Sequence, residues 1–243
     1  MKEASFYKQL NNNQVQCELC PHFCTIKESE RGKCRVRQNQ KGKLYSLVYG
    51  KAVASAVDPI EKKPLFHFLP GTLSYSIATM GCNFHCLFCQ NSEISQPGEE
   101  IYGRDISPKN IVEEALQNDC KSIAYTYTEP TIFYEYALDT AKLAKKAGLK
   151  NIFVTNGFIN PEPIKQISKY LDAANIDLKS FEDSFYKEVI GARLQPVLDA
   201  IKLYKELGIF LEITTLIIHQ KNDSDKNLKQ IAEFIAKIDP NIP

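Results

Sequence analysis

The chain has 243 residues, and its 30 lysine and arginine residues against 29 acidic ones give a formal net charge of +1. That length suffices for one large α/β domain or for a domain with a small added module. The balanced charge does not suggest an acidic polymer or an anionic membrane as partner, and it does not exclude nucleic acid. The N-terminus lacks an apolar signal core, and the most apolar stretch, residues 210–218, is too short and too polar to span a bilayer. We therefore expect a soluble, cytoplasmic protein.

Residues 1–70 are predicted to form a small module that is rich in cysteine and charge and ends at the turn Leu69-Pro70-Gly71. It has little else with which to build a core, so metal binding would supply folding energy. Four of its residues could be thiolate ligands, and we call them the N-terminal cysteine group: Cys17, Cys20, Cys24 and Cys34.

The metal at the N-terminal cysteine group is left open by the spacing alone. Four thiolates fit a structural zinc site, which is tetrahedral and coordinatively closed. They also fit an auxiliary iron–sulfur cluster that passes electrons. Free or regulatory thiols are a third alternative, and His22 is an alternative ligand.

Residues 71–243 alternate regularly between strand-like and helix-like segments. Five consecutive βα units imply a parallel sheet, which places functional loops at the C-terminal ends of the strands. A complete eight-unit barrel needs about 250 residues, so the fold class is α/β, a partial TIM-like (βα) barrel. The last residues are loop-like, whereas the alternating pattern predicts another strand there. We therefore expect one or more C-terminal strands to be missing. The predicted strands are Leu73–Thr79, Ser122–Tyr127, Asn151–Thr155, Ala173–Leu178 and Phe210–Leu216, and the predicted helices are Pro108–Gln117, Ile132–Ala147, Pro161–Tyr170, Gln195–Leu207 and Asp223–Ile238.

A second cysteine group, the cysteine loop at residues 82–89, directly follows the first predicted strand of the barrel. Cys82, Cys86 and Cys89 are separated by three and by two residues. Three thiolates this close can hold three irons of a cubane and leave the fourth iron without a protein ligand. A zinc site with His85 as the fourth ligand is the alternative. With no export signal in the chain, both cysteine groups favour metal ligation over disulfides.

Four motifs in this order resemble one known family. The cysteine loop after the first strand of a partial βα barrel is similar to that of the radical S-adenosylmethionine (SAM) superfamily. Four motifs follow one another along the chain: Cys17-x2-Cys20-Pro21-His22-x-Cys24, Gly32-Lys33-Cys34-Arg35, Asp58-Pro59-Ile60-Glu61-Lys62-Lys63-Pro64 and Ala78-Thr79-x-Gly81-Cys82-Asn83-Phe84. Through these motifs the chain more narrowly resembles the AmmeMemoRadiSam-system radical SAM enzymes, relatives of pyruvate formate-lyase activating enzyme.

The resemblance implies a [4Fe-4S] cluster that cleaves SAM reductively to methionine and a 5′-deoxyadenosyl radical, which abstracts hydrogen from an unidentified substrate. It also implies an electron donor of the flavodoxin or ferredoxin type and AmmeMemoRadiSam-system partner proteins. Phe88 would shield the cluster and lie near the adenine. The cofactor would carry the difficult chemistry, while the protein orients reactive atoms and excludes water.

Polar residues after the second and third strands are similar to SAM-binding segments of the superfamily. Thr128 and Glu129 match part of the segment that binds the SAM amino group, and a carboxylate or a backbone carbonyl suits an ammonium ion there. Alternatively, Glu129 only opens the next helix. Asn156 resembles a turn that surrounds SAM in activating-enzyme relatives, and otherwise it is a turn residue before glycine.

The fourth and fifth strands carry the remaining candidates for SAM contacts. The resemblance implies that Asp177 and Lys179 help position the methionyl carboxylate, the ribose or a nearby cation, although they could form a local surface ion pair. Glu212 and Thr214 share one face of the fifth strand, so they are candidates for SAM or substrate contacts if that face lines the lumen. A strand lying open at an edge is the alternative.

Two other functions remain open at this point. One is an activase that abstracts a glycyl hydrogen from a partner enzyme. The other is a non-catalytic module that binds zinc or nucleic acid, against which the lack of a basic patch weighs.

Overall fold

The computed structural model describes residues 1–243 as a mixed α/β fold around one six-stranded sheet. Five strands run parallel in chain order, and a sixth strand pairs antiparallel with the first of them at one edge. From the antiparallel edge onward, the strands are Ala54–Pro59, Leu73–Ala78, Ser122–Tyr125, Lys150–Thr155, Ala173–Asp177 and Phe210–Thr214. The predicted parallel sheet of a partial barrel is therefore confirmed.

Helices connect the parallel strands, as the alternating pattern predicts. Two of them begin at a serine whose hydroxyl accepts the backbone N–H of the third helical residue, which satisfies one of the free donors at a helix start. The connecting helices are Pro108–Gln117, Tyr134–Lys146, Pro161–Ile167, Gln195–Glu206 and Asp225–Ile238, and the short helical segments are Ile60–Lys62, Ser92–Ser95, Pro130–Phe133, Asp183–Phe185 and Tyr186–Ile190. None of the helices has the length and apolar character that crossing a bilayer requires.

The lumen side of the sheet is filled at its lower end by the segment that precedes the first parallel strand. Ile60 and Leu65 of this segment pack against three small or branched residues that point into the barrel: Ala124, Ile152 and Ala173. The other sheet face packs on the helices and forms the main apolar core. Because the lower lumen is closed by apolar contacts, polar chemistry is left to the upper end, where the parallel strands finish.

The N-terminal segment consists of short antiparallel strands that pack onto the barrel. Its apolar residues belong to the same core cluster as those of the barrel, and a buried ion pair joins Arg37 to Glu135. The sheet itself begins at Ala54, before the turn that marks the predicted division at residue 70, which stays a prediction. The short strands are Lys2–Glu3, Tyr7–Gln9, Val15–Cys17, Thr25–Ile26, Arg37–Gln40, Lys43–Ser46 and Lys51–Ala52, the last paired with Arg104–Asp105.

Candidate functional site

The cysteine loop leaves the first parallel strand through a glycine that no other residue can replace without strain. Gly81 has φ +100°, a backbone conformation that favours glycine. A Cβ atom on it would lie 2.7 Å from Val36 Cγ1 and 2.9 Å from the carbonyl oxygen of Cys34. The start of the loop therefore fits directly against the N-terminal segment.

Backbone hydrogen bonds hold the rest of the cysteine loop on the segment Tyr186–Ile190. The N–H groups of His85 and Leu87 donate to the carbonyls of Ile190 and Val189 at 2.9 and 3.0 Å. The His85 ring is hydrogen-bonded to the side chain of Gln96. The loop is thus fixed by main-chain contacts, and its histidine is engaged outside the thiol group.

Two of the three thiols of the loop, Cys82 and Cys89, have a hydrogen-bonding group beside them. The backbone N–H of Phe84 lies 3.3 Å from Cys82 Sγ, and Ser95 Oγ lies 3.3 Å from Cys89 Sγ. Burial raises the pKa of Cys82 well above that of a free thiol and that of Cys86 to about 11. No group of three or more potential ligand side chains, here or elsewhere, is arranged at ligating separations. Hydrogen-bonding groups in these positions suit thiolate sulfurs that hold an iron–sulfur cluster.

Lys179 is the cation of the site, and it stands where the sequence placed it, after the fourth strand. Its Nζ lies 2.8 Å from Asp177 Oδ2 and 5.8 Å from the centre of the Phe88 ring, and its side chain is only 12% exposed. Burial lowers the pKa of Lys179, but Asp177 and the thiols of Cys86 and Cys82 outweigh burial, so the net pKa is raised. The ammonium therefore stays charged beside the thiols.

Glu129 lies at the predicted place, but its carboxylate points into the protein. Oε1 accepts the hydroxyls of Thr131 at 2.6 Å and Thr155 at 2.7 Å, and Oε2 accepts the N–H of Asn156 at 2.8 Å. Oε1 also accepts the Thr131 N–H, which caps the short helix that follows. The carboxylate ties two strand ends together, and any contact with the SAM amino group would fall to backbone carbonyls.

Thr128 and Asn156 link the strand ends to the cysteine loop. Thr128 Oγ1 donates to the carbonyl of Thr79 at 2.7 Å, just before the loop. Asn156 Nδ2 donates to Asn83 Oδ1 at 2.8 Å and lies 3.8 Å from Cys82 Sγ. Both predicted residues thus meet the loop, and Asn83 joins them although no role was assigned to it from sequence.

Glu212 and Thr214 hold a neighbouring segment of the chain in place. Glu212 accepts the N–H groups of Phe66 and His67 at 3.0 and 2.8 Å. Thr214 Oγ1 accepts from Asn175 Nδ2 at 2.9 Å, and the same amide also donates to the carbonyl of Pro64. The acidic residue is therefore partnered by backbone N–H groups, and a SAM or substrate contact for either residue stays a prediction.

A polar cluster that the sequence reasoning missed joins three elements. Asp58 accepts from Lys63 Nζ at 2.7 Å, from Ser76 Oγ at 3.0 Å and from the Tyr127 hydroxyl. Tyr127 has φ +63°, a costly conformation for a non-glycine residue, directly before Thr128. The motif around Asp58 is recognisable in the sequence, but its hydrogen-bond partner Tyr127 is about seventy residues further along the chain.

The four N-terminal cysteines lie close enough to influence one another's charge, although they are not arranged as a metal-binding group. Burial raises the pKa of Cys17 and of Cys20, and it raises that of Cys34 to about 11; the neighbouring thiols, Cys24 included, act in the same direction. His22 lies beside them, but its Nε2 is hydrogen-bonded to the carbonyl of Asn83 at 2.8 Å. The group is thus in contact with the cysteine loop through His22.

Comparison with known proteins decides the family. The sequence model described as the Radical SAM superfamily matches residues 76–235. The chain belongs to the radical SAM superfamily. An uncharacterised protein of Methanocaldococcus jannaschii is 50% identical over 236 residues, which cover 97% of this chain and 70% of that protein. A pyruvate formate-lyase-activating enzyme of Clostridium pasteurianum is 23% identical over 161 residues, 65% of this chain and 67% of that enzyme.

Solved structures agree with the radical SAM fold. The structure of TYW1 with a lysine-pyruvate adduct bound superposes with a TM-score of 0.53 at 18% identity, covering 76% of this chain and 72% of that one. At this identity the likeness shows the fold. Membership of the radical SAM superfamily in turn implies an enzyme that uses a [4Fe-4S] cluster and SAM, together with a reductant.

Proposed function

We propose that this radical SAM enzyme cleaves SAM reductively at Cys82, Cys86 and Cys89 and uses the resulting radical to abstract hydrogen from its substrate. A [4Fe-4S] cluster bound there supplies the electron for the cleavage, and SAM supplies the 5′-deoxyadenosyl group. The observation that carries the proposal is the position of these thiols, on a loop at the carboxyl ends of parallel strands, where βα folds bind their ligands.

The other side chains of the site have supporting roles in this proposal. Lys179 provides positive charge beside the thiolates and offsets part of the negative charge that accumulates on reduction. Asn156 and Thr128 fix the loop relative to the second and third strands. Phe88 lies between Lys179 and Phe185 and forms an aromatic wall that limits water access.

The finer assignment is also a proposal. We propose an oxidoreductase-type enzyme of the AmmeMemoRadiSam system, reduced by a flavodoxin or ferredoxin and assisted by that system's partner proteins. The four sequence motifs support this, since they are present in the same order. A glycyl-radical activase is the second candidate, favoured by the similarity to pyruvate formate-lyase-activating enzymes. A cytoplasmic location stays a prediction from the sequence.

The test is an anaerobic assay of the full chain reconstituted with iron and sulfide. With dithionite and SAM, we expect one [4Fe-4S] cluster by EPR and iron analysis, and formation of 5′-deoxyadenosine. Reconstituted protein that binds a cluster but makes no 5′-deoxyadenosine contradicts the proposal, and so does protein that binds no cluster.

A matched control separates the loop cysteines from thiols in general. Cys89→Ala should abolish formation of 5′-deoxyadenosine, because a cubane would lose one of its three protein ligands. Cys120→Ala should leave it unchanged, because Cys120 is a buried cysteine outside both groups. For the activase candidate, the readout is an EPR signal of a protein radical on an added partner enzyme.

A further inference from the structure

The turn after the second parallel strand holds Tyr127 in a conformation that a tyrosine rarely adopts. Tyr127 has φ +63°, and the N–H of Thr128 donates to the carbonyl of Thr126 at 2.7 Å, two residues back. A hydrogen bond of this span around a residue with positive φ is the mark of the rare, strained kind of γ-turn. Such strain persists only where the surrounding structure fixes the residue. The side chain of Tyr127 should therefore have partners that hold it.

A cluster of charged groups holds the phenol of Tyr127. Its hydroxyl donates to the Asp58 carboxylate and accepts from Lys63 Nζ at 3.2 Å, and Lys63 also donates to Asp58 Oδ2 at 2.7 Å. The same ammonium lies 4.5 Å from the centre of the Tyr127 ring. Ser76 Oγ, on the first parallel strand, donates to Asp58 Oδ2 at 3.0 Å. We call Asp58, Lys63 and Tyr127 the tyrosine clamp, and two of its members come from the sequence motif at residues 58–64.

The charge states of the clamp suit these hydrogen bonds. Burial raises the pKa of Asp58, but hydrogen bonds from two lysines and from Tyr127 outweigh burial and hold that pKa well below its usual range. Burial and the hydrogen bond to Asp58 raise the pKa of Tyr127 to about 12. At neutral pH the carboxylate is therefore charged and the phenol is protonated. A hydrogen bond to a charged acceptor is stronger than one between neutral groups.

The strained turn contacts the chain on both sides of the cysteine loop. Thr128 Oγ1 donates to the carbonyl of Thr79, before the loop, at 2.7 Å. Asn91 Nδ2, after the loop, donates to the carbonyl of Tyr127 at 2.8 Å. Thr128 is buried, yet no group of the chain donates to its carbonyl. One backbone acceptor is thus left free beside the cysteine loop, and a buried acceptor needs a donor.

We propose that Asp58, Lys63 and Tyr127 are positioning residues for SAM, an inference that rests on the proposed function. The clamp holds Tyr127 in the strained turn, and the turn keeps the free carbonyl of Thr128 available to the ammonium group of SAM. The Glu129 carboxylate is engaged by hydroxyl and N–H donors and leaves this role to the backbone. Without the clamp, a residue other than glycine would leave positive φ, and the carbonyl would move with it.

Removal of one hydroxyl tests the clamp with the smallest change to the fold, because Tyr127→Phe leaves Asp58 paired with Lys63. We expect the affinity for SAM to fall about tenfold at unchanged iron content, since a charge-assisted hydrogen bond is lost. The probe is SAM itself, in equilibrium dialysis against the anaerobically reconstituted full chain without reductant, so that binding is measured apart from cleavage. Unchanged affinity would overturn the inference.

A matched control removes the same hydroxyl elsewhere. Tyr49 donates to Asp139 on a connecting helix at 2.9 Å. Tyr49→Phe should therefore bind SAM as the wild type does. If it lost as much affinity as Tyr127→Phe, the effect would be a general one of tyrosine hydroxyls and the clamp would have no special role.

Alanine and glycine at position 127 separate the shape of the turn from the loss of packing. Both Tyr127→Ala and Tyr127→Gly remove the whole side chain, but only glycine adopts positive φ without strain. We expect Tyr127→Gly to bind SAM about fivefold more tightly than Tyr127→Ala. A role in stability alone would not produce this order, and equal affinities of the two variants would overturn the inference.

Failure of this inference is distinguishable from failure of the proposed function. A wild-type chain that binds SAM but forms no 5′-deoxyadenosine contradicts the proposed function and leaves the comparison of affinities intact. Clamp variants with wild-type affinity, in a chain that cleaves SAM, overturn only the role of the clamp. A wild-type chain that binds no SAM overturns both.

Discussion

The two cysteine groups use the same ligand atom in opposite surroundings. In the cysteine loop, three thiols lie at the carboxyl ends of the sheet strands, beside a lysine and beside Leu87, which is 81% exposed. The N-terminal group has four thiols, two of them almost inaccessible, next to a buried ion pair. Three ligands in an open setting leave a metal position for chemistry, whereas four in a closed setting leave none.

The groups also differ in how the chain builds them. The N-terminal group depends on a local hairpin and one nearby turn. The cysteine loop is held by Thr128 and Asn156, which follow the second and third parallel strands, and by the segment Tyr186–Ile190. A site made for catalysis needs positioning from rigid elements around it, and the barrel supplies that. The comparison teaches that one cysteine group is positioned by the ends of the barrel strands, whereas the other is positioned by a local hairpin.

The strongest way to break the comparison is to remove one thiol from each group. Cys86→Ala should lower SAM cleavage at least 100-fold at unchanged stability, because a cubane would lose one of its three protein ligands. Cys20→Ala should leave the iron of the cysteine loop in place and lower the unfolding free energy by about 1 kcal/mol or more, because Cys20 packs against the apolar core. Urea unfolding and iron analysis check both. If Cys20→Ala lost as much iron as Cys86→Ala, the two groups would not be separate.

The contact between the two regions is tested at Gly81. Gly81→Ala should destabilise the protein by about 2–4 kcal/mol, because the new Cβ meets Val36 and the Cys34 carbonyl below 3 Å and φ is positive. Gly71→Ala is the control, with φ +77° but nothing within 4 Å, and should cost about 1 kcal/mol. If both variants lost the same stability in thermal unfolding, the N-terminal segment and the cysteine loop would not be in tight contact at Gly81.

A variant of Glu129 tests whether the strand ends around the cysteine loop must be held together for activity. Glu129→Gln replaces an acceptor of several hydrogen bonds by a group that also donates, so at least one buried donor loses its partner. We expect a loss of about 1–3 kcal/mol and weaker SAM cleavage, measured by urea unfolding and product formation. Glu162→Gln, in an exposed pair with Lys165, should change neither. A stable variant of normal activity would remove Glu129 from the site.

The smallest expected effect concerns the positive charge of Lys179 beside the cysteine loop. Lys179→Met should reduce SAM cleavage about tenfold at normal iron content, because a charge-assisted interaction is worth about 1.5–3 kcal/mol and only part of it changes on reduction. Lys187→Met removes the same charge from an exposed ion pair with Asp183 and should have little effect. If iron is lost from Lys179→Met, the lysine acts on cluster assembly instead.

Local patterns predicted much of this molecule. Each predicted strand and helix of the barrel is present within a few residues of its expected limits, because hydrophobic period and capping signals are local. The order of the strands was enough to predict that Asn156 and Lys179 lie near the cysteine loop. The strand Ala54–Pro59 was missed, since its small residues and terminal proline give a weak strand signal.

Side-chain direction was the part that sequence could not supply. Glu129 stays a candidate for the SAM amino group, but the sequence did not predict that its carboxylate accepts hydrogen bonds from donors at the end of the third strand, more than twenty residues away in the chain. Tyr127, a partner of Asp58, and Glu135, the partner of Arg37, are further away still, at 69 and 98 residues along the chain. Such pairs form only when the fold brings distant elements together, so they cannot be predicted from the spacing of residues in the sequence.

The most direct test of the central claim is 5′-deoxyadenosine production by the anaerobically reconstituted full chain, measured together with iron per chain. The account predicts that product forms only with dithionite and with a [4Fe-4S] cluster bound by the cysteine loop. Product formed by the Cys82, Cys86 and Cys89 triple-alanine variant, or a wild-type chain that binds a cluster yet forms none, would contradict the assignment of catalysis to the open cysteine loop.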